Sequence, residues 1–398
     1  MQTLLFLCHR IPYPPNKGDK IRSFNFLKKL STRYKVILAA FVDDPADMKY
    51  RKDIEQYCQE VYLKEIDPKV RKLCSLKGFL SGEALSVAFY RDKEMFDWLK
   101  SVAQRETLSV AWVFSSTMAQ YLPALKPSPA QVVIDYVDVD SEKWLAYSEK
   151  HKWPLSYIYG REGKKLLDFE VDMAERADHG IFVTHDEAQL FKQLAPTVAD
   201  KIGHVENGVD IDYFDPQLNY ENPYPSKQKV LVFTGAMDYW ANEEAVSWFV
   251  QNVLPLIQQQ EPDAHFYIVG ARPSAAVNKL AQQHQVHVTG SVVDIRPYLA
   301  HAVTAVTPLR VARGVQNKVL EAMAMAKPVV ATQGAIEGIR ATASLRNLVA
   351  DKPSEFADKV VSLLQGDNAE QFGTEGRQLV VDTYSWSSCL QPLEQILD

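Results

Sequence analysis

The chain has 398 residues, of which 46% are hydrophobic and 24% are charged, and its formal net charge is −6. This length exceeds what one hydrophobic core usually supports, so two domains are expected, and the negative charge excludes a protein that coats nucleic acid. The four cysteines are scattered without a C-x-x-C pair, which excludes a zinc ribbon or disulfide framework and fits a reducing cytoplasm.

Short apolar runs rich in β-branched residues alternate with longer amphipathic segments along the whole chain. This alternation predicts an α/β protein with parallel sheets, because strands covered on both faces are apolar throughout and helices supply the crossovers. The first run, LLFLC, is too short for a membrane span and has no basic residues before it, so it predicts a buried strand. The strands are predicted at LLFLCH, KVILAAFV, VAWVFSS, QVVIDYV, GIFVTH, KVLVFTG, HFYIVG, VHVTG, VTAVTP and KPVVAT.

A connector separates five of these strands from the other five. Residues 215–229 contain three prolines and few apolar residues, which is typical of an exposed linker. We therefore predict an N-terminal α/β domain over residues 1–215, a linker over residues 216–229 and a second α/β domain over residues 230–380.

The first 35 residues contain eight Lys or Arg and one acid, Asp19. A solvated helix face explains part of this excess, and a face that holds acidic lipid headgroups or a phosphorylated acceptor explains it equally well. The same segment contains Gly18 after the first strand, where the backbone could approach a ligand or only make a tight turn. Ile21, Phe24, Leu27 and Leu30 form the predicted apolar stripe of the following helix.

In parallel sheets, ligands bind beyond the carboxyl ends of the strands. Gly235 and Gly270 each follow a predicted strand of the second half and are expected at that edge. After the strand VTAVTP, a basic loop with Arg310 leads into the helix NKVLEAMAMA. A helix N-terminus attracts anions, and Lys318 and Glu321 share one helix face, so this segment suits a diphosphate and a sugar hydroxyl pair. The alternative is a solvated basic turn.

Three segments lie in the second half of the chain: HVENGVDIDYFDP (204–216), PLRVARGVQNKVLEAMAMAKPVVAT (308–332) and TYSWSSCLQPLEQIL (383–397). In order and spacing they resemble retaining glycosyltransferases of family 4, which have the GT-B fold, and the resemblance spans nearly the whole chain. More narrowly, three segments are similar to the branch associated with bacterial PEP-CTERM and exosortase exopolysaccharide systems: CHRIPYPPNKGDKIRSFNFLKKL (8–30), IDYVDVDSEKW (134–144) and ARGVQNKVLEAMAMAKPVV (312–330).

This resemblance implies two Rossmann-like domains that face an interdomain cleft, with a C-terminal helix over residues 381–398 that crosses back to the first domain. It also implies that the second domain binds the nucleotide sugar and the first binds the acceptor. Glu321 is expected to bind the ribose hydroxyls and Lys318 to lie near the diphosphate. The other residues expected to bind the donor are Gly18, Gly235, Arg310, Arg313 and Gly314.

The chain departs from the family pattern at Arg313, which stands where relatives carry an acid eight residues before the position of Glu321. Relatives also carry an Arg and Lys pair after the strand KVLVFTG, and this chain has none there. Arg310, Arg313 and Lys318 are expected to replace that charge around the diphosphate, or around a carboxylate on the donor sugar. The alternative is that Arg313 points to solvent.

The first domain contains the motif DVD at residues 138–140. Asp138 follows a strand, and many relatives carry a His or Asp near the acceptor at this position, so we predict that it orients the acceptor or acts as the catalytic base. The alternatives are a helix N-cap and a metal ligand. His9 also ends a strand, and we interpret it as a structural histidine. Neither a metal nor a cofactor is expected, because GT-B enzymes neutralise the diphosphate with a helix dipole and cations.

The sequence thus predicts a cytoplasmic, metal-independent retaining glycosyltransferase that uses a nucleoside-diphosphate sugar. Its acceptor is expected to be a lipid-linked or growing saccharide, and its basic N-terminal segment is expected to associate weakly with anionic membrane at the inner face of the cytoplasmic membrane. Nucleic acid is not an expected partner. Two alternatives are a nucleotide-sugar epimerase of the same fold and a catalytically silent nucleotide-sugar binder.

Overall fold

The computed structural model, which describes residues 1–15, 18–226, 228–311 and 315–398, places the strands in two parallel sheets. The chain divides into a first unit, Met1–Asn207 with Leu390–Asp398, and a second unit, Gly208–Cys389. Each unit consists of one sheet with helices packed around it. The predicted α/β class is confirmed, and each of the ten predicted runs contains a strand.

The described part of the first unit contains a sheet of seven parallel strands in the order β3-β2-β1-β4-β5-β6-β7. Two of these strands were not predicted from the sequence. The edge strand β3 has Glu or Lys at three of its six positions, and β7 is only three residues long, so neither forms a long apolar run. The strands are Thr3–Cys8 (β1), Lys35–Val42 (β2), Glu60–Glu65 (β3), Leu108–Phe114 (β4), Gln131–Val137 (β5), His179–Phe182 (β6) and Ile202–His204 (β7).

Most helices of the first unit connect successive strands. Short 3-10 helices lie at Pro45–Tyr50, Ser116–Ala124 and Pro196–Lys201. The α-helices before the second unit are Gly18–Ser31 (α1), Arg51–Glu55 (α2), Pro68–Ser75 (α3), Gly78–Ser81 (α4), Leu85–Phe89 (α5), Lys93–Arg105 (α6), Asp140–Lys150 (α7), Leu155–Arg176 (α8) and His185–Leu194 (α9).

The described part of the second unit contains five parallel strands in the order β10-β9-β8-β11-β12. They are Lys229–Thr234 (β8), Ala264–Val269 (β9), Val286–Gly290 (β10), Thr304–Thr307 (β11) and Val329–Ala331 (β12). Two π-helical turns, Phe249–Val253 and Val380–Tyr384, interrupt its helices. The α-helices are Trp240–Trp248 (α10), Leu254–Gln260 (α11), Ala275–Leu280 (α12), Arg296–His301 (α13), Asn317–Ala324 (α14), Gln333–Ile336 (α15), Ala343–Asn347 (α16), Pro353–Leu364 (α17), Ala369–Leu379 (α18) and Trp386–Cys389 (α19).

The units separate between Asn207 and Gly208, earlier than the predicted boundary after residue 215. The segment after Gly208 belongs to the second unit because it bonds and packs there. The Val209 N–H donates to the Tyr384 carbonyl at 2.7 Å, and Phe214 is buried in the core of that unit. Within the proline-rich connector, the Tyr224 hydroxyl donates to the Tyr298 carbonyl at 2.6 Å. The connector is thus anchored, although its composition is typical of a free linker.

Residues 390–398 return to the first unit, where the helix Pro392–Leu397 (α20) packs beside α1. The return was predicted over the longer range 381–398. Lys29 Nζ lies 3.2 Å from the Glu394 carboxylate, and Arg33 pairs with the Asp398 side chain at 2.7 Å. The Gln131 amide donates to the Ile396 carbonyl at 2.6 Å. These contacts attach the returning segment to α1 and β5.

Acidic residues of the first unit pair with many cations of its basic N-terminal segment. Lys29 and Arg33 pair with the returning segment, as described above. The other pairs among the described residues are Arg10 with Asp19 and Asp43, Lys20 with Asp47, and Arg22 with Asp135. Much of the positive charge that the sequence shows in this segment is therefore compensated within the folded unit.

Within the described ranges, no helix combines the length and the apolar character needed to cross a lipid bilayer.

Candidate donor pocket and acceptor-side residues

A pocket of about 410 Å³ opens at the carboxyl ends of β8, β9 and β10, beside the start of α14. This is the edge of a parallel sheet at which ligands characteristically bind. The pocket lies entirely within the second unit. Its lining residues are Thr234, Gly235, Ala236, Asn242, Val269, Gly270, Ala271, Ser291, Val292, Ile295, Asn317, Lys318 and Glu321.

Lys318 lies in the first turn of α14, and its ammonium group is held on two sides. Nζ donates a hydrogen bond to Asn242 Oδ1 and lies 4.6 Å from the centre of the Phe233 ring. The Asn242 side chain is itself fixed, because Nδ2 donates to the Ala236 carbonyl at 2.8 Å. Burial lowers the pKa of Lys318 to about 8, although the nearby Glu321 carboxylate acts in the opposite direction. A second anion at this site would favour the charged ammonium.

Glu321 lies one turn after Lys318 on the same face of α14, and both side chains line the pocket. Burial raises the pKa of Glu321 to about 7, and the Lys318 ammonium lowers it only in part. No donor within the described residues hydrogen-bonds to this carboxylate. Its oxygens can therefore accept hydrogen bonds from hydroxyl groups placed in the pocket.

The first N–H groups of α14 complete the polar side of the pocket. Helix α14 begins at Asn317, and its N-cap residue, Gln316, makes no side-chain capping bond to the helix. Helix N-termini carry a partial positive charge that favours phosphate groups. The start of α14 and Lys318 thus place positive charge in the pocket, and the Glu321 carboxylate lies one helical turn away.

Two glycine loops line the same pocket, and they touch each other through the backbone. A Cβ atom added at Gly270 would lie 1.7 Å from the Gly235 carbonyl oxygen. A Cβ added at Gly235 would lie 2.8 Å from Asn242 Nδ2 and 3.3 Å from Lys318 Nζ. Glycine at both positions therefore allows β8 and β9 to end in contact with each other and with the side chains around Lys318.

A Gly270→Ala variant tests this contact. We expect it to lose about 1 to 2 kcal/mol of free energy of unfolding, because the new methyl group must displace the backbone at Gly235. We also expect weaker binding in the pocket, because Gly235 lines it. Urea denaturation measures the loss of stability, and calorimetric titration with a nucleoside diphosphate measures the loss of binding. Gly203→Ala is the matched control, since a Cβ there meets nothing within 4 Å, and equal stability of both variants would contradict the prediction.

The structure places Arg310 away from the lining of the pocket. Its guanidinium pairs with Glu244 on α10, with Nε at 2.8 Å from Oε1, and lies 5.7 Å from the ring of Trp248. Arg313 and Gly314 lie outside the described residues. The donor contacts expected of these three residues stay predictions.

Asp138, the predicted acceptor residue, follows the last residue of β5 in the first unit. Lys143 Nζ bridges the DVD carboxylates at 2.7 Å from Asp138 and 3.0 Å from Asp140. The N-cap alternative for Asp138 is wrong, because Val139 occupies the N-cap position of α7. The described residues contain no group of three or more His, Cys, Asp or Glu side chains arranged to hold a metal ion.

The backbone before Asp138 is strained. Val137 has a φ of 69°, which is unusual for a β-branched residue. The buried Asp135 carboxylate holds this turn, since Oδ1 accepts from the Val137 N–H at 3.1 Å. Such strain persists only where the surroundings fix the backbone, so Asp135 helps to set the position of Asp138.

Asp135 is paired with Arg22 of α1, and both side chains are fully buried. Arg22 Nε lies 2.9 Å from Asp135 Oδ2, and Nη2 lies 3.1 Å from Oδ1. Nη1 donates to the Val205 carbonyl at 2.7 Å and to Asn207 Oδ1 at 3.0 Å. One guanidinium thus connects α1, the end of β5 and the last residues before the second unit.

Gly18 and His9 also lie in the first unit. Gly18 is the first residue of α1, and a Cβ there would meet nothing within 4 Å. The ring of His9 stacks on Phe114, and Nε2 lies 3.5 Å from Asp19 Oδ2. Nδ1 is buried without a hydrogen-bond partner among the described residues. A purely structural histidine would be expected to have partners for both ring nitrogens, and among the described residues only Nε2 of His9 has one.

Comparison with families and solved structures agrees with this geometry. Residues 228–366 match the sequence model of the family described as Glycosyl transferases group 1. The matched range contains all the lining residues of the pocket, including Lys318 and Glu321. The match covers the second unit in part and supports a glycosyltransferase domain there. A search of curated proteins finds no significant match.

Several solved structures share the fold over the whole chain. A glycosyltransferase from Rickettsia africae superposes with a TM-score of 0.65 at 15% identity, covering 100% of this chain and 97% of its own. Anabaena Alr3699/HepE in complex with UDP gives 0.64 at 15% identity, covering 100% and 99%. A mutant of Staphylococcus aureus TarM, in complex with fondaparinux, α-GlcNAc-glycerol and UDP, gives 0.61 at 11% identity, covering 100% and 100%. The fold is therefore the GT-B fold, as the sequence resemblance implies.

Proposed function

We propose that this chain is a retaining, metal-independent glycosyltransferase that moves a sugar from a nucleoside-diphosphate sugar to a lipid-linked or saccharide acceptor. The observation that carries the proposal is the combination of Lys318 and Glu321 with the start of α14 in one pocket. The match of residues 228–366 to group 1 glycosyl transferases supports it. So do the structures of the GT-B neighbour HepE with UDP and with UDP-glucose.

The pocket suits a donor with two chemically distinct ends. The diphosphate would lie against the first N–H groups of α14 and Lys318, whose charge the anion would stabilise. The ribose hydroxyls would donate to Glu321. The base would lie toward the residues after β10, Ser291 and Val292, which line the same pocket. Lys318 and the helix dipole would supply the charge stabilisation that a metal ion supplies in other glycosyltransferases.

In the reaction, the bond between the anomeric carbon and the diphosphate oxygen breaks, and its electron pair leaves with the diphosphate. The acceptor hydroxyl forms the new bond to the anomeric carbon on the same face, so the configuration is retained. The hydroxyl proton passes to a diphosphate oxygen. Catalysis then consists mainly of positioning and of stabilising the leaving diphosphate.

We assign the acceptor to the first unit, with Asp138 as the residue that orients the attacking hydroxyl. Lys143 holds the Asp138 carboxylate, and the buried Asp135 fixes the backbone before it. The resemblance to exopolysaccharide-associated transferases supports a place in bacterial exopolysaccharide synthesis. A lipid-linked acceptor would place the enzyme in the cytoplasm, weakly associated with the inner face of the membrane.

A donor screen followed by a transfer assay tests the proposal. UDP-, GDP- and ADP-sugars are first compared for thermal stabilisation of the protein, because a ligand that binds only the native state raises its stability. The stabilising donor is then supplied with a radiolabelled sugar and a membrane extract. We expect label to appear in a lipid or saccharide product. Conversion of the donor to an epimer would instead identify a nucleotide-sugar epimerase, and stabilisation without turnover would identify a silent binder.

An Arg313→Glu variant tests the departure from the family pattern. If Arg313 binds the diphosphate, the reversed charge should weaken both the nucleotide sugar and the free nucleoside diphosphate by at least about tenfold. If it binds a carboxylate on the donor sugar, only the nucleotide sugar should weaken. Calorimetric titration of both ligands distinguishes these results, with Arg313→Ala as the companion variant. Full affinity and full transfer activity in both variants would show that Arg313 has no role at the donor.

A further inference from the structure

The segment of α3 and α4 presents apolar side chains to solvent. Val70 is 55% exposed, Leu73 is 70% exposed, Leu76 is 49% exposed and Leu80 is 92% exposed. Leu73, Leu76 and Leu80 recur at helical spacing, and the backbone stays helical through the turn between the two helices. These side chains therefore form one apolar stripe on the outside of the first unit.

The inward side of the same segment is polar or small. Arg71 pairs with Asp92, and its guanidinium lies 6.0 Å from the centre of the Phe41 ring. Ser75 and Gly78 are buried. A helix on the surface of a globular protein normally turns its apolar stripe to the core and its polar residues to water. This segment does the reverse, which indicates that its outer face is covered by a partner.

A second exposed segment lies beside this stripe. Arg161 of α8 donates to the Gly78 carbonyl at 2.8 Å, and its guanidinium lies 4.8 Å from the centre of the Phe79 ring. Tyr157, which is 66% exposed, lies one turn before Arg161 on the same face of α8. Trp153, just before α8, is 81% exposed. We call the combined patch the Leu80 surface; it comprises Val70, Leu73, Leu76, Phe79, Leu80, Trp153, Leu155 and Tyr157.

The charges within the segment of α3 and α4 have one sign, and Asp67 and Glu83 flank it on either side. Residues 68–82 contain Lys69, Arg71, Lys72 and Lys77 and no acidic residue. The three lysines are exposed beside the apolar stripe. An anionic partner suits this set. A second copy of the chain does not suit it, because a two-fold contact would place these cations against one another.

We propose that the Leu80 surface docks on an anionic lipid bilayer. Leucines on one face with lysines beside them are the composition of helices that lie in a membrane interface, and Trp and Tyr favour the headgroup level. Lysines near an anionic surface add electrostatic attraction. This placement differs from the basic N-terminal segment that the sequence suggests, in which Lys29 and Arg33 are paired with Glu394 and Asp398.

Docking on a bilayer would bring the enzyme to a lipid-linked acceptor, and in this respect the proposal rests on the proposed function. The test of docking requires neither donor nor acceptor, so the docking proposal and the transfer proposal can fail separately. A chain that binds vesicles without transferring sugar would overturn only the transfer reaction, and a chain that transfers sugar without binding vesicles would overturn only the docking surface.

The test is co-sedimentation of the full chain with vesicles of phosphatidylcholine alone or mixed with phosphatidylglycerol. We expect binding to the anionic vesicles that declines as salt is raised. Leu73→Gln/Leu80→Gln should reduce the partition constant by about tenfold, because two apolar side chains no longer enter the interface. Lys72→Gln/Lys77→Gln should reduce it by about tenfold at low salt. The emission of Trp153, obtained by difference from a Trp153→Phe variant, should shift to shorter wavelength on binding.

Matched controls distinguish this surface from others. Leu218→Gln removes an exposed leucine from the second unit, and Lys28→Gln/Lys35→Gln removes two exposed lysines from the N-terminal segment. Both should bind vesicles as the parent does. Equal loss in the control and test variants, or no loss in the leucine variant, would overturn the proposal. A parent dimer that becomes monomeric in Leu73→Gln/Leu80→Gln would also overturn it, because a second copy would then cover this surface.

Discussion

An Arg22→Met variant is expected to lose about 3 to 5 kcal/mol of free energy of unfolding, because it leaves the Asp135 carboxylate buried without its partner. The same change removes the donors to the Val205 carbonyl and Asn207 Oδ1. Urea denaturation at neutral pH measures the loss. Transfer activity should fall with stability, since Asp135 also holds the strained Val137 before Asp138.

Two further variants test the physical reason for this loss. Arg22→Met/Asp135→Asn removes both charges and keeps an acceptor for the Val137 N–H, so it should recover about half of the stability or more. Arg176→Met breaks an exposed ion pair with Asp172 on α8 and should cost less than about 1 kcal/mol. A double variant no more stable than Arg22→Met would contradict the prediction, as would equal losses in Arg22→Met and Arg176→Met.

A Glu321→Ala variant is expected to bind the nucleotide sugar roughly a hundredfold more weakly, because ribose hydroxyls lose a charged acceptor in a desolvated pocket. Calorimetric titration measures the affinity. Lys318 should retain its contact with Asn242, so binding of inorganic diphosphate should change much less. Unchanged affinity for the nucleotide sugar would show that Glu321 is not the ribose ligand.

The pH dependence of donor binding provides an independent check. Burial raises the pKa of Glu321 to about 7, and the ionised carboxylate accepts hydroxyl hydrogen bonds more strongly than the neutral acid, so affinity should decline as pH falls below about 7. Burial lowers the pKa of Lys318 to about 8, so affinity should also decline as pH rises above about 8. Glu321→Gln should abolish the decline on the acid side only. A nucleotide sugar is the right ligand, because its diphosphate does not titrate in this range.

The architecture could be predicted from the sequence because buried parallel strands have a strong local pattern. Ten apolar runs each contain a strand, whereas β3 and β7 lack such a run.

The buried ion pair of Arg22 and Asp135 could not be predicted in the same way. Arg22 and Asp135 are 113 positions apart, and an arginine among other cations in a helix is typical of a solvated face. The predicted apolar stripe of α1 is correspondingly incomplete, since Arg22 and Phe26 are buried while Ile21 and Phe24 are only partly covered.

In the pocket, too, residues in local sequence motifs could be predicted, and a residue whose role depends on contacts distant in sequence could not. Lys318, Glu321, Gly235 and Gly270 were expected at the sheet edge, and all four line the pocket. Asn242 was missed, because its importance depends on contacts with Lys318 and Ala236 that only folding creates. Its place a few residues after Gly235 was the available signal in the sequence.

The return of residues 390–398 to the first unit makes that unit discontinuous in sequence, with the whole second unit inserted within it. A ribosome finishes Gly208–Cys389 before it makes Glu394 and Ile396, which contact Lys29 and Gln131. The second unit can therefore complete its sheet while the first unit still lacks part of its surface. A fragment cut after Asn207 would lack those contacts as well, so isolating the first unit requires residues 390–398 to be grafted onto it.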